Sequence, residues 1–336
     1  MVARWLVGAL LLAACGGTPP PAAAVSPHKP GPLADTWFDN GSTWRQLPGL
    51  GPSPRYAASL AYDAARSNFV LFGGQSGATS HNETWTFDGK NWNRRTPAHN
   101  PPARREAAMA YDPIRKLVVL YGGLIADAAE GREGADTWTW NGADWTAVAP
   151  ESNGAPGHRE GARMVSTADG VILFGGRIGN VTYFDDAWGW DGTKWSRNDS
   201  TPRPPGRAYA AVAWDPLHRS LVVYGGTGFN PAAGIGAQGT PLGDTWVLAG
   251  VSWRNPKPPG PPALSFATAI WDRASSHVLL LFGMDCPRPT SDSWAWDGVG
   301  WSRVATGKVP PRWGAAVAQD GNGNTLAFGG SDEAGC

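Results

Sequence analysis

Arg55, Arg104, Arg159, Arg207 and Arg312 occupy one point of a pattern that recurs close to every 50 residues, and Leu264 holds that point in the remaining unit. Beside them stand Tyr56, Glu106, Glu160, Tyr209 and Trp313. Guanidinium forks bind carboxylates in bidentate fashion, and aromatic rings stack on sugars or cations. Gathered at one mouth of a closed ring, these side chains would form an anion or acidic-sugar site. The opposing reading is that each arginine pairs with an acid of its own or a neighbouring unit, such as Asp136, Asp186, Asp244 or Asp292.

Other chemistries have less to stand on. The six histidines (28, 81, 99, 158, 218, 277) show no paired ligand spacing, so no metal or other cofactor is expected. No Ser-His-Asp order is apparent. The glycine pairs end strands without a following helix, which is not a nucleotide fingerprint. Lys and Arg total 28 against 28 Asp and Glu, so no net field draws the chain to nucleic acid. Two long polar segments, Leu124 to Asp136 (with Asp127, Glu130, Arg132 and Glu133) and Thr227 to Asp244, read as binding loops or simply as solvated ones.

The elements that position these residues are short strands. Of the 336 residues, 45 are Gly and 30 Pro, too turn-rich for a helical protein, while 19 Trp argue against disorder. Apolar runs such as Phe69-Val70-Leu71-Phe72 end in Gly73-Gly74, Gly122-Gly123, Gly175-Gly176, Gly225-Gly226 and Gly329-Gly330. A sixth run ends in Gly283, with Met284 read as replacing the second glycine. A Trp follows five of these runs, and seven residues later a second: Trp85/Trp92, Trp138/Trp145, Trp188/Trp195, Trp246/Trp253, Trp294/Trp301. Asp88-Gly89, Asn141-Gly142, Asp191-Gly192 and Asp297-Gly298 lie between them, a strong hairpin signal. A second hairpin precedes each glycine pair, with corners such as Tyr62-Asp63 and Trp214-Asp215. Each unit is therefore predicted to be a four-stranded antiparallel sheet that must stack on its neighbours to bury both faces. The last unit has only two strands; Asp35-Thr36-Trp37, Asn40-Gly41 and Trp44 supply the missing hairpin at the other end and predict a closed ring of six.

Before the repeat, Arg4 is followed by a ten-residue, mostly apolar stretch, half of what a bilayer core needs, so it reads as an export signal. It ends in Leu12-Ala13-Ala14-Cys15, which resembles the lipobox of bacterial lipoproteins and implies lipidation at Cys15. Residues 1–14 are thus expected to be a signal peptide, 15–34 a Gly/Pro-rich tether and 35–336 the propeller. An exported, lipid-anchored protein of the bacterial cell envelope follows, attached to the membrane through the anchor only.

The double glycines, Trp pairs and spacing together resemble the kelch repeat, and the chain looks like bacterial kelch lipoproteins related to the central domain of galactose oxidase. The resemblance implies an all-β, six-bladed kelch-type β-propeller whose last blade is closed by the N-terminal hairpin. Kelch-like repeats often carry a basic residue at the arginine position, which favours the pairing reading. The copper site of galactose oxidase uses two tyrosines, one cross-linked to cysteine, and two histidines; that set has no counterpart here. The expected function is a binding or scaffold module, monomeric, for a protein or glycan, through Arg55, Arg104, Glu106, Arg159, Glu160, Arg207, Tyr209, Arg312 and Trp313. The alternative is a sugar isomerase resembling the kelch-type sialic-acid mutarotases. There Glu106 or Glu160 would exchange protons while Arg104 or Arg159 fixed a carboxylate. Cys286 and Cys336 fall in equivalent loops of neighbouring units, and in an oxidising compartment they are expected to form a disulfide.

Overall fold

The computed structural model describes residues 29–41, 43–126, 131–148, 155–229, 239–304 and 309–335. The segment expected to be a signal peptide, Cys15 and most of the expected tether lie outside them. Every described element is a strand.

Six four-stranded antiparallel sheets repeat one order. The first joins Ser59–Asp63, Asn68–Phe72, Thr84–Phe87 and Trp92–Arg95; the second Ala108–Asp112, Leu117–Tyr121, Thr137–Trp140 and Trp145–Val148. The third joins Arg163–Thr167, Gly170–Phe174, Ala187–Trp190 and Trp195–Asn198, and the fourth Ala211–Asp215, Ser220–Tyr224, Thr245–Ala249 and Ser252–Arg254. The fifth joins Thr268–Asp272, His277–Leu281, Ser293–Trp296 and Trp301–Val304. In the sixth, Ala316–Gln319 and Thr325–Phe328 are completed by Thr36–Asp39 and Trp44–Leu47 from the other end of the chain, with Phe38 opposite Leu326. The first strands adjoin in the cyclic order one to six and back to one.

The aromatic pattern explains how the sheets stack. The second Trp of each sheet packs on an aromatic ring of the preceding sheet: Trp145 on Phe72 at 5.3 Å, Trp195 on Tyr121 at 5.2 Å, Trp253 on Phe174 at 5.5 Å. Trp301 on Tyr224 and Trp92 on Phe328 continue it, both at 5.2 Å. The Trp Nε1–H groups meet hydroxyls across the same boundaries, Trp145 to Thr84 and Trp195 to Thr137. Where Ala187 replaces Thr, that acceptor is missing for Trp253. Buried aromatic area carries most of this adhesion, because ring pairs add to the hydrophobic term.

The outer hairpins form as the Asp-Gly and Asn-Gly pairs predict, with the two residues of each pair doing different work. Only the glycines, such as Gly89 at φ +92° and Gly192 at +95°, turn left-handed. The Asp88 carboxylate instead accepts the N–H groups of Lys90 and Asn91.

The double glycines do more than bend the chain. A Cβ on the first of each pair would lie 2.4 to 2.6 Å from the next sheet's backbone oxygen at the arginine position (Arg104, Arg159, Arg207, Leu264 or Arg55). The second glycine donates its N–H to that same oxygen at 2.8 to 3.0 Å, from Gly74 to Arg104 and onward to Gly330 and Arg55. In the fifth sheet the residue replaced is the first glycine, not the second. Phe282 holds φ +60° and Gly283 makes the bond to Arg312, so the reading of Met284 as the substitute is corrected. The reason lies in packing. Leu281 precedes Phe282 where other sheets have Phe or Tyr, and Phe282 itself supplies the ring on which Trp44 rests, at 6.2 Å.

Candidate functional site

The five arginines are not at the mouth. Each is at most 1% exposed. Arg104 binds both oxygens of Asp136 at 2.7 Å, the Gly122 carbonyl at 2.9 Å and the Pro102 carbonyl at 3.1 Å. Arg207 holds Asp244 in the same way at 2.6 and 2.9 Å, and Arg312 holds Asp35 at 2.8 Å twice. Arg159 grips Asp186 at 2.7 and 3.2 Å, and Arg55 reaches one oxygen of Glu83 at 2.7 Å. The same acids accept the first Trp of their sheet, as Asp136 does from Trp138. Burial pushes Asp35, Glu83, Asp136 and Asp244 up, but the guanidinium hydrogen bonds and charge outweigh it and hold them below the usual carboxylate range. An anion site built on Arg55, Arg104, Arg159, Arg207 and Arg312 is therefore corrected: their donors are spent on the fold. In the fifth sheet, where Leu264 stands, Asp292 turns to Arg303 at 2.6 Å and Trp294 Nε1 is left without a partner among the described residues.

Two residues beyond each arginine position the backbone turns left-handed, at Ala57, Glu106, Gly161, Tyr209, Phe266 and Gly314, with φ from +54° to +64°. Each donates its N–H to the carbonyl of its counterpart in the preceding sheet at 2.8 to 3.3 Å, and Ala57 closes the circle on Gly314. Six peptide groups thus form a collar around the axis. Its side chains set the character of the site.

On one side of the collar lies an acidic cluster. Tyr209 donates its hydroxyl to Glu106 at 2.7 Å and approaches Glu160 at 3.3 Å. Arg177 donates to Glu160 at 2.9 Å and lies 4.9 Å over the Tyr209 ring. Arg105 stands 3.6 Å from Glu106. Burial first, then the Glu106 charge, pushes Glu160 up to about 7 despite Arg177. Among the described residues its buried Oε2 has no hydrogen-bond partner. Burial and the two carboxylates also push the Tyr209 phenol well up, so it remains a donor.

The other side is aromatic. Phe266 stacks on Tyr209 with centroids 4.1 Å apart, Trp313 lies 5.2 Å from Phe266, and Tyr56 lies 5.0 Å from Trp313. Phe266 and Trp313 wall a cleft of about 360 Å³ that also touches Thr227, Pro241, Met284 and Glu333. The long loop after Gly226 contributes Thr240–Pro241, paired with Thr227–Gly228; its residues 230–238 lie outside the described residues. The same holds for Asp127 and Glu130, whereas Glu133 accepts the Gly179 N–H of the next sheet at 2.8 Å.

Of the expected binding residues, Glu106, Glu160, Tyr209 and Trp313 meet at the mouth. Arg177 and Phe266 were missed. Arg177 had a signal: it is the one charged residue that directly follows a glycine pair, where the others have Gln75, Leu124, Thr227, Met284 and Ser331. Cys286, beside the cleft, is disulfide-bonded. Gly335 donates to the Pro287 carbonyl at 3.0 Å, which brings the chain end alongside; Cys336 and Cys15 lie outside the described residues.

Against known proteins, residues 36–195, just under half of the chain, match the family model described as the KLHDC2/KLHL20/DRC7 Kelch-repeats domain. No curated protein matches. With the repeating sheets, that match makes this an all-β kelch-type propeller. Kelch repeats commonly serve as protein-binding scaffolds.

Proposed function

We propose that this chain is an exported, lipid-anchored binding module, acting as a monomer, that holds a protein partner at the loop-side mouth. The cleft walled by Phe266 and Trp313 carries the reading: an apolar, aromatic recess beside a collar of fixed polar groups suits an inserted side chain or loop. Pull-down from an envelope extract with the fragment beginning at Gly31, compared with its Trp313→Ala variant, tests it. A partner retained by the parent and lost by the variant is expected; equal retention overturns the mouth as the site. A glycan array run alongside would instead identify a carbohydrate ligand. Membrane attachment is assigned to Cys15, and Cys15→Ser should leave the protein soluble or unprocessed.

A second reading, a sugar isomerase, is favoured by one observation. Glu160 at about 7, against Glu106 and Tyr209, can gain and lose a proton near neutrality. In that reading Arg177, not Arg104 or Arg159, would hold the sugar carboxylate. Exchange of sialic-acid anomers followed by NMR, with Glu160→Gln as control, decides it: acceleration lost in the variant supports it, and no acceleration removes it.

A further inference from the structure

Behind the collar the axis opens into a chamber of about 700 Å³ walled by the first strands of all six sheets. Its wall is mostly apolar, with Leu60, Met109, Val212 and Val317, and its far end carries Tyr62, Tyr111, Trp214 and Trp271, each next to a corner aspartate. Arg163 interrupts this lining. It stands two residues after the collar position Gly161, roughly 7 Å down the strand, where the other sheets have Ser59, Ala108, Ala211, Thr268 and Ala316. Its one side-chain hydrogen bond is a 3.5 Å contact to the adjacent Ala162 carbonyl, and no carboxylate comes within ion-pairing distance among the described residues. Glu106, the nearest acid at the collar, is engaged with Tyr209 and Arg105. Burial accordingly pulls Arg163 below the ordinary arginine range. Arg163 is half-buried and faces the chamber, so its open donors beside an apolar wall suit an anion supplied from outside. The other charged side chains lining the chamber's open end, Arg273 and Asp320, are held by the corner turn of the sixth sheet, Arg273 on the Gly321 carbonyl and Asp320 by Asn322 and Asn324.

We propose that this chamber is a second binding site, separate from the mouth, for an amphipathic carboxylate that enters past the four aromatic rings and seats its head group on Arg163. The body of such a ligand lies against the apolar wall, and the collar stops it from passing through. Equilibrium dialysis of the full chain with labelled octanoate tests the site, with octan-1-ol and octylamine as competitors. Octanoate should bind the parent and be displaced poorly by both competitors. Arg163→Ala should weaken it at least ~10-fold, the usual loss for a charge-assisted pair, and Arg163→Lys should fall between. Since Ala and Ser occupy the equivalent positions elsewhere, Arg163→Ala and Arg163→Ser should melt like the parent; if one does not fold, the other serves. Trp313→Ala should leave octanoate binding unchanged, which separates this site from the mouth. Equal affinity in parent and Arg163→Ala, or displacement by octan-1-ol as effective as by octanoate itself, overturns the proposal.

Discussion

Replacing Glu160 by Gln should abolish a pH dependence of stability that the parent protein shows between about 4.5 and 7. In the unfolded chain Glu160 titrates near 4.5; in the fold it titrates at about 7. The folded state therefore holds this proton more tightly, and folding is favoured most where the group is protonated in both states. Stability contributed by Glu160 is complete below about 4.5, declines as pH rises to 7, and is flat above. At about 1.4 kcal/mol per unit the full decline is about 3 kcal/mol. The Glu160 side chain is only 5% exposed, so little of this is screened. The Glu106 charge is the second cause of the rise, after burial, so the loss reflects the cluster around Glu160. Gln stays neutral throughout. Urea denaturation of both proteins at pH 5, 6, 7 and 8 reads the effect. The variant should already gain slightly at pH 5 and pull further ahead upward, its stability relative to the parent at pH 8 exceeding its offset below pH 4.5 by about 3 kcal/mol. Parallel stability curves across that range would refute the raised Glu160.

Arg104→Ala strands the Asp136 carboxylate and the Gly122 carbonyl, and should cost about 3 kcal/mol in chemical denaturation; a loss below 1 kcal/mol would mean the pair is not a staple. Gly161→Ala places a Cβ 2.5 Å from the Tyr209 ring, whereas at Gly314 the nearest atom is 3.6 Å away. Both pay about 1 to 2 kcal/mol for the left-handed backbone, so Gly161→Ala should melt clearly below Gly314→Ala, and equal melting temperatures would contradict the packing described. Deleting residues 35–46 removes two strands and the Arg312 counter-charge, and should unfold the whole ring; a truncated protein with an unchanged melting curve would show that the sixth sheet does not depend on them.

The repeat was legible because its parts act locally. The Trp pairs, the Asp-Gly corners and the split last unit each follow from turn chemistry and alternation within about ten residues. Pairing of the arginines with acids was readable too, since both partners recur with the unit. The mouth was not. Its collar needs left-handed backbone at Glu106, Tyr209 and Phe266, residues that give no local sign of it, and its charge pattern depends on Arg177 arriving from a different loop. The fifth unit misled for a related reason: Phe282 breaks the glycine rule to satisfy Trp44, a partner more than two hundred residues away in the chain.

The sixth sheet differs from the others in a way that concerns force, not composition. In the first five sheets a covalent loop joins the second strand to the third, so a pull along the chain cannot part them without first straightening that loop. In the sixth, Thr325–Phe328 and Thr36–Asp39 are held by noncovalent contacts only: backbone hydrogen bonds, the Asp35–Arg312 clasp, the Gly31–Asp332 bond and the packing of Trp37 and Phe38. Any load arriving through the segment before residue 35 therefore falls on the one seam without a peptide bond across it. That makes the N-terminal hairpin the mechanical fuse of the molecule. A circular permutant that joins the present ends and opens another sheet's loop would keep the same collar and the same staples, yet move the weak point elsewhere on the ring.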